Sequence, residues 1–200
     1  LRIVIAAETD DIRWSCPLVA DVMTLFRATS PANMERALET IPVIDFGPYL
    51  QGVDGTLEDL AAKVRVACEE VGFFYLTGHG VPESLVEDTF DAARQFHALP
   101  LEEKLRLKLD QYNVGYLPMN ASTQRHSTVH KATRPNENES FFVIHDRPAD
   151  HPDVVSEKPL RGRNYWPQQL PGFRHRAMAY FDTLNALGQR MLPVFAVALG

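Results

Sequence analysis

Two hundred residues with 45% hydrophobic and 23% charged side chains have the composition of a soluble globular chain, long enough for one domain or two small ones. A net charge of −6 with scattered cations excludes a phosphate-tracking surface, so neither nucleic acid nor an anionic membrane is an expected partner. No stretch approaches the ~20 apolar residues of a membrane span; Cys16 and Cys68 make neither a disulfide framework nor a thiolate zinc site, which fits a reducing cytoplasm.

Residues 1–40 are expected to be a poorly ordered or spurious extension. The chain opens on Leu1, residues 1–33 show no period, and Met34 stands where a natural start would lead into Ile41-Pro42. Residues 41–145 should form a first domain. Val43 to Phe46 is β-rich and bounded by Pro42 and Gly47-Pro48, which predicts a strand. A helix should follow, with Thr56 as N-cap and Asp59 completing an acidic capping box. Leu57, Leu60, Ala61, Val64, Cys68 and Val71 form its apolar stripe, and Gly72 its C′ residue. Phe73 to Leu76 is apolar on both faces and is predicted to lie inside a sheet. Pro82 opens the next helix, whose buried face should be Leu85, Val86, Phe90, Ala93 and Phe96. Leu101, Leu105 and Leu109 recur every four residues and predict a short helix, with Glu102-Glu103-Lys104 as its solvated start. A short strand is expected in Val114–Pro118, a long loop from Asn120 to Ser140, and a strand from Ser140 to His145. Residues 146–200 should be a linker and a long helix: five prolines from Asp146 through Pro171 mark a surface connection. Phe173, Met178, Phe181, Leu184, Leu187 and Met191 mark the helix, which Pro193 should kink or divide.

Several phrases carry more than local structure. Ile41-Pro-Val-Ile-Asp-Phe46, Val71-Gly-Phe-Phe-Tyr-Leu-Thr-Gly-His-Gly-Val-Pro82 and Phe96-His-Ala-Leu-Pro-Leu-Glu-Glu-Lys104 occur in that order, followed by Gly115-Tyr-Leu-Pro118, Asn138-Glu-Ser-Phe-Phe142 and Arg163-Asn-Tyr-Trp-Pro167. Together they resemble the N-terminal region of the non-haem Fe(II)/2-oxoglutarate-dependent dioxygenases, the isopenicillin N synthase-like family; Asn138 stands where that family usually has Lys. The resemblance implies an α+β fold, with helices packed on the N-terminal edge strands of an incomplete double-stranded β-helix (jelly-roll) barrel. It implies a full-length parent oxidoreductase that uses Fe(II) and 2-oxoglutarate to oxidise a small-molecule substrate. The family's iron triad, His-x-Asp…His, and its Arg-x-Ser clamp for 2-oxoglutarate are expected beyond Gly200. No catalytic or metal-ligating residue, and no bound cofactor or turnover, is therefore expected in this chain. By the same resemblance Tyr116 and Phe141 are substrate-pocket candidates. Two alternatives stay open: a non-catalytic relic acting as a binding or assembly module, and an isopenicillin N synthase-type oxidase that dispenses with 2-oxoglutarate. Oligomeric state leaves no signal.

Three histidine patterns invite a functional reading and do not support one. His151-Pro152-Asp153 has the letters of the iron motif but lies in a proline-rich loop, followed only by His175. His126 and His130 have an i, i+4 spacing without the Glu or the helix of a zinc site. His79, between two glycines, reads as part of a structural turn.

Overall fold

The structure, a computed structural model, describes residues 3–7 (backbone only), 41–122 and 134–200. The elements in chain order are β1 (Ile3–Ala7), β2 (Val43–Asp45), α1 (Gly47–Leu50), α2 (Thr56–Glu70), β3 (Tyr75–Thr77), α3 (Glu83–His97), α4 (Leu101–Leu105), β4 (Gly115–Leu117), β5 (Glu139–Val143), α5 (Pro152–Val155) and α6 (Phe173–Leu199). The chain divides into two compact units, Leu1–Ile12 with Val81–Asn185 and Arg13–Gly80 with Ala186–Gly200.

In the unit built on Arg13–Gly80, β2 and β3 pair in parallel, Val43 opposite Tyr75 and Asp45 opposite Thr77. Leu60, Ala61, Val64 and Ala67 of α2 bury against Ile44, Phe46, Val194 and Ala198. Each large aliphatic side chain so covered contributes about 1.5–3 kcal/mol before entropy is counted. The stripe runs 60, 64, 67, so Cys68 falls beside it and is exposed, contrary to the expectation that it packs inward. Thr56 is not the cap either. Gly55, at φ +76°, holds the N-cap position, and the Thr56 hydroxyl donates back to the Val53 carbonyl at 2.6 Å. Gly72 ends the helix as expected: its N–H reaches the Ala67 carbonyl at 2.9 Å, and its φ of +93° suits the C′ position. β3 differs from the fully buried strand expected. Phe74 and Leu76 pack on the core, while Phe73 and Tyr75 are 59% and 51% exposed, because the described sheet has only two strands and no other described element covers its outer face.

In the other unit the sheet order is β1–β5–β4, all antiparallel. Ile3–Ala7 lies where no regular element was expected; Ile3, Val4 and Ile5 are β-branched, a strand-favouring composition, and the backbone pairs along the whole of β5, Ile5 opposite Phe141. The core gathers Ala92 and Phe96 of α3, Tyr116 of β4, Phe141 and Val143 of β5, and Phe173, Ala177 and Phe181 of α6. Phe96, Phe141 and Phe173 form a triangle with centroids 4.4–5.5 Å apart, within the range of favourable aromatic pairs. α3 keeps most of the expected face, with Phe96 buried, Ala93 packed on the core and Leu85 and Val86 half-buried, but its middle is turned: Thr89 and Ala92 are buried and Phe90 is 46% exposed. The Thr89 hydroxyl makes this possible by donating to the Leu85 carbonyl at 2.7 Å. α4 stops at Leu105 and is also turned over, with Leu101 and Leu105 exposed and Lys104 inside. Its continuation runs beside β4, where Tyr116 N–H donates to Leu107 O at 2.6 Å and Leu109 N–H to Tyr116 O at 2.8 Å.

α6 belongs to the first-named unit through Asn185 and to the second from Ala186. It continues through Pro193 as one 27-residue helix and is not divided there. The proline ring has no N–H for the Gln189 carbonyl; in the turn before it, the Tyr49 hydroxyl donates to the Arg190 carbonyl at 2.8 Å. Among the described residues no helix is long and apolar enough to cross a membrane.

Candidate functional site

Tyr116 and Phe141, the two pocket candidates, face each other across β4 and β5 and are fully buried. Phe141 lies in the aromatic triangle. Tyr116 carries its hydroxyl to Glu139 of β5, to whose Oε2 it donates. That contact belongs to the densest polar cluster of the described residues, and the cluster is built around the Glu139 carboxylate.

Four elements supply it. His97, at the C-terminal end of α3, meets Glu139 Oε1 through Nδ1 at 2.8 Å; an ionised carboxylate only accepts, so Nδ1 carries the hydrogen. Pro100 ends the connection and opens α4, which brings Lys104 inward. Its Nζ donates to Glu139 Oε1 at 3.0 Å and Oε2 at 2.9 Å, and to the His97 carbonyl at 3.0 Å. All three ammonium donors are thereby used, and the ammonium sits 5.4 Å from the Tyr116 ring centroid. Each Glu139 oxygen accepts two hydrogen bonds. The side chains of His97, Lys104 and Glu139 are only 8%, 9% and 13% exposed. Burial pushes the Glu139 carboxyl up, but hydrogen bonds from Tyr116, Lys104 and His97 outweigh it and hold the group below its ordinary value. Burial and the neighbouring carboxylate push the Tyr116 phenol up. Such a satisfied network is rigid, and removing one partner of a buried pair costs roughly 3–5 kcal/mol.

Sequence reasoning misses three of these four. Lys104 is expected on a solvated helix start; it is buried because its charge is matched by Glu139, thirty-five residues on, a separation that periodicity does not register. Glu139 is visible only as a letter of the phrase beginning at Asn138. The Asn138 Oδ1 beside it is buried and finds no hydrogen-bond partner among the described residues.

The phrase His151-Pro152-Asp153 has a different use. The His151 Nδ1 accepts the Asp153 N–H at 3.1 Å and so caps α5. Asp153 pairs with Lys158 at 2.5 Å, which holds its carboxyl below the usual range. Asn164, from the phrase Arg163–Pro167, acts as a piece of strand: its Oδ1 accepts the Ile144 N–H at 3.0 Å and its Nδ2 donates to the Ile144 carbonyl at 2.8 Å. His79 lies between Gly78 and Gly80, both at positive φ, in a turn after β3. His126 and His130 lie outside the described residues. A groove of about 510 Å³ opens between Asp146, Arg174, His175, Met178 and Asp182; it includes neither Tyr116 nor Phe141. Among the described residues no three His, Cys, Asp or Glu side chains converge on one point. The described residues therefore do not gather the two imidazoles and one carboxylate of the iron site that the resemblance implies for the parent.

Comparison with known proteins gives a consistent result. The profile of the family described as non-haem dioxygenase in morphine synthesis N-terminal matches residues 41–169. The chain is 35% identical over 164 residues to the 2-oxoglutarate-Fe(II) type oxidoreductase hxnY of Emericella nidulans, covering 79% of this chain and 45% of that protein. It is 34% identical to the 2-oxoglutarate-dependent dioxygenase caaD of Aspergillus niger, covering 80% and 48%. Among solved structures, a full-length Neurospora crassa protein in complex with alpha-KG superposes with a TM-score of 0.62 at 25% identity, covering 80% of this chain and 47% of that one. The chain thus spans about half the length of the curated relatives it matches.

Proposed function

Because this chain belongs to the N-terminal region of the non-haem Fe(II)/2-oxoglutarate dioxygenases, we propose that it is the N-terminal part of an oxidoreductase of that kind. The whole protein couples decarboxylation of 2-oxoglutarate and activation of O₂ at Fe(II) to oxidation of a small organic substrate. The observation that carries this is the match running through residues 41–169 while covering only about half of the curated relatives' own length. The sheet β1–β5–β4 and the helices on it are the helical buttress and edge strands of an incomplete jelly-roll barrel. Tyr116 and Phe141 enter this reading as the packed backing of a substrate-pocket wall, since neither has exposed surface. The iron and the 2-oxoglutarate clamp lie in a part of the protein other than the described residues. Reading the coding frame past codon 200 tests this. A frame that continues into His-x-Asp, a later His and Arg-x-Ser is expected; a reproducible stop codon directly after Gly200 would overturn the reading in favour of a binding module.

A further inference from the structure

The Glu139 cluster also bears on how this unit moves. Of its four contributors, three are held by apolar packing as well: the end of α3 by Phe96, β4 by Tyr116 and β5 by Phe141. α4 is not. Lys104 is its one buried residue, and Leu101 and Leu105 are 56% and 40% exposed. Its remaining polar ties are Glu103 to Arg106 within the same turn and Glu103 to Gln169, both at the surface, where such contacts are worth little. Docking of α4 therefore rests on the Lys104 ammonium, chiefly through its buried pair with Glu139 and also through the His97 carbonyl.

We propose that Glu139 is an ionisable latch, whose charged carboxylate holds α4 against the sheet through Lys104 and whose neutralisation releases the segment from Ala98 to Arg106 while the aromatic core stays folded. Among the described residues the titratable groups that face it are His97 from α3, Lys104 from α4 and Tyr116 from β4; Ala7 of β1 is its register partner. Because the folded carboxyl lies below its ordinary 4.5, the latch is fully engaged above that value and is lost as pH falls through the lower, folded value. A neutral carboxyl gives up the ion pair and must donate one hydrogen bond where all four contacts now arrive as donors.

Amide hydrogen exchange, corrected for intrinsic rates and followed from about pH 7 to about pH 3, tests the latch. In the unmodified protein, protection of residues 98–106 is expected to fall as a distinct acid step while residues 173–181 of α6 stay protected. Glu139→Gln should lower protection of 98–106 by roughly a hundredfold or more at neutral pH and abolish the acid step. Parallel loss of protection in both regions, or full protection of 98–106 in Glu139→Gln, would overturn the proposal. Should Glu139→Gln not fold, the acid titration of the unmodified protein decides alone: a step confined to 98–106 upholds the latch, and simultaneous loss in 173–181 refutes it.

Discussion

Gly78 shows how one residue fixes the turn after β3. Asp45 Oδ1 accepts the Gly47 N–H at 2.8 Å, and the Phe46 N–H reaches the Thr77 carbonyl at 2.9 Å, so the two chain segments touch just where Gly78 passes. A Cβ there would collide with Asp45 Oδ1 and lie 2.6 Å from the Gly47 nitrogen, at a φ of +62°. Gly78→Ala therefore has to break the Asp45 turn as well as bear the backbone strain. A loss of about 2 kcal/mol or more is expected in chemical denaturation; an unchanged midpoint would show that the turn relaxes freely. The sequence marks this phrase as a turn from its glycines alone, which is the kind of local signal that needs no partner. It does not mark Lys104 or Glu139, whose burial each depends on the other. Nor does it show that Tyr116 and Phe141 have no exposed surface, since an aromatic residue looks the same in a pocket wall and in a core.

At the scale of elements, apolar periodicity locates the helices and most of their buried faces, and it fails where a polar side chain is buried in place of an apolar one. α2 carries the expected stripe but not the expected cap, because Gly55 at positive φ takes the place that Thr56 would have filled. α3 turns Thr89 inward and Phe90 outward, a local exchange allowed once the threonine hydroxyl is satisfied within the helix. α4 is the sharpest reversal, because a charged pair overrides three regularly spaced leucines. This makes a discriminating expectation. Leu101→Gln should change stability by no more than about 0.5 kcal/mol, as for an exposed position. A loss of about 2 kcal/mol or more, the cost of truncating a buried leucine, would restore the stripe as the buried face. α6 passes Pro193 unbroken because both of its halves are anchored, Phe173, Ala177 and Phe181 in one core and Val194 and Ala198 in the other. That tertiary packing outweighs the missing backbone hydrogen bond.

For the molecule as a whole, the two cores are each assembled from residues far apart in sequence, beyond the reach of local patterns. The family is legible because its phrases recur in fixed order. The chemistry is less legible: among the described residues, His97, Lys104 and Glu139 bind one another, His151 caps a helix and Asp153 pairs with Lys158. The most direct test of this division is to supply the 200-residue chain with Fe(II), 2-oxoglutarate and O₂ and measure succinate against a chelated control. No succinate above the control is expected; Fe(II)-dependent succinate would mean that these residues form a working iron site after all.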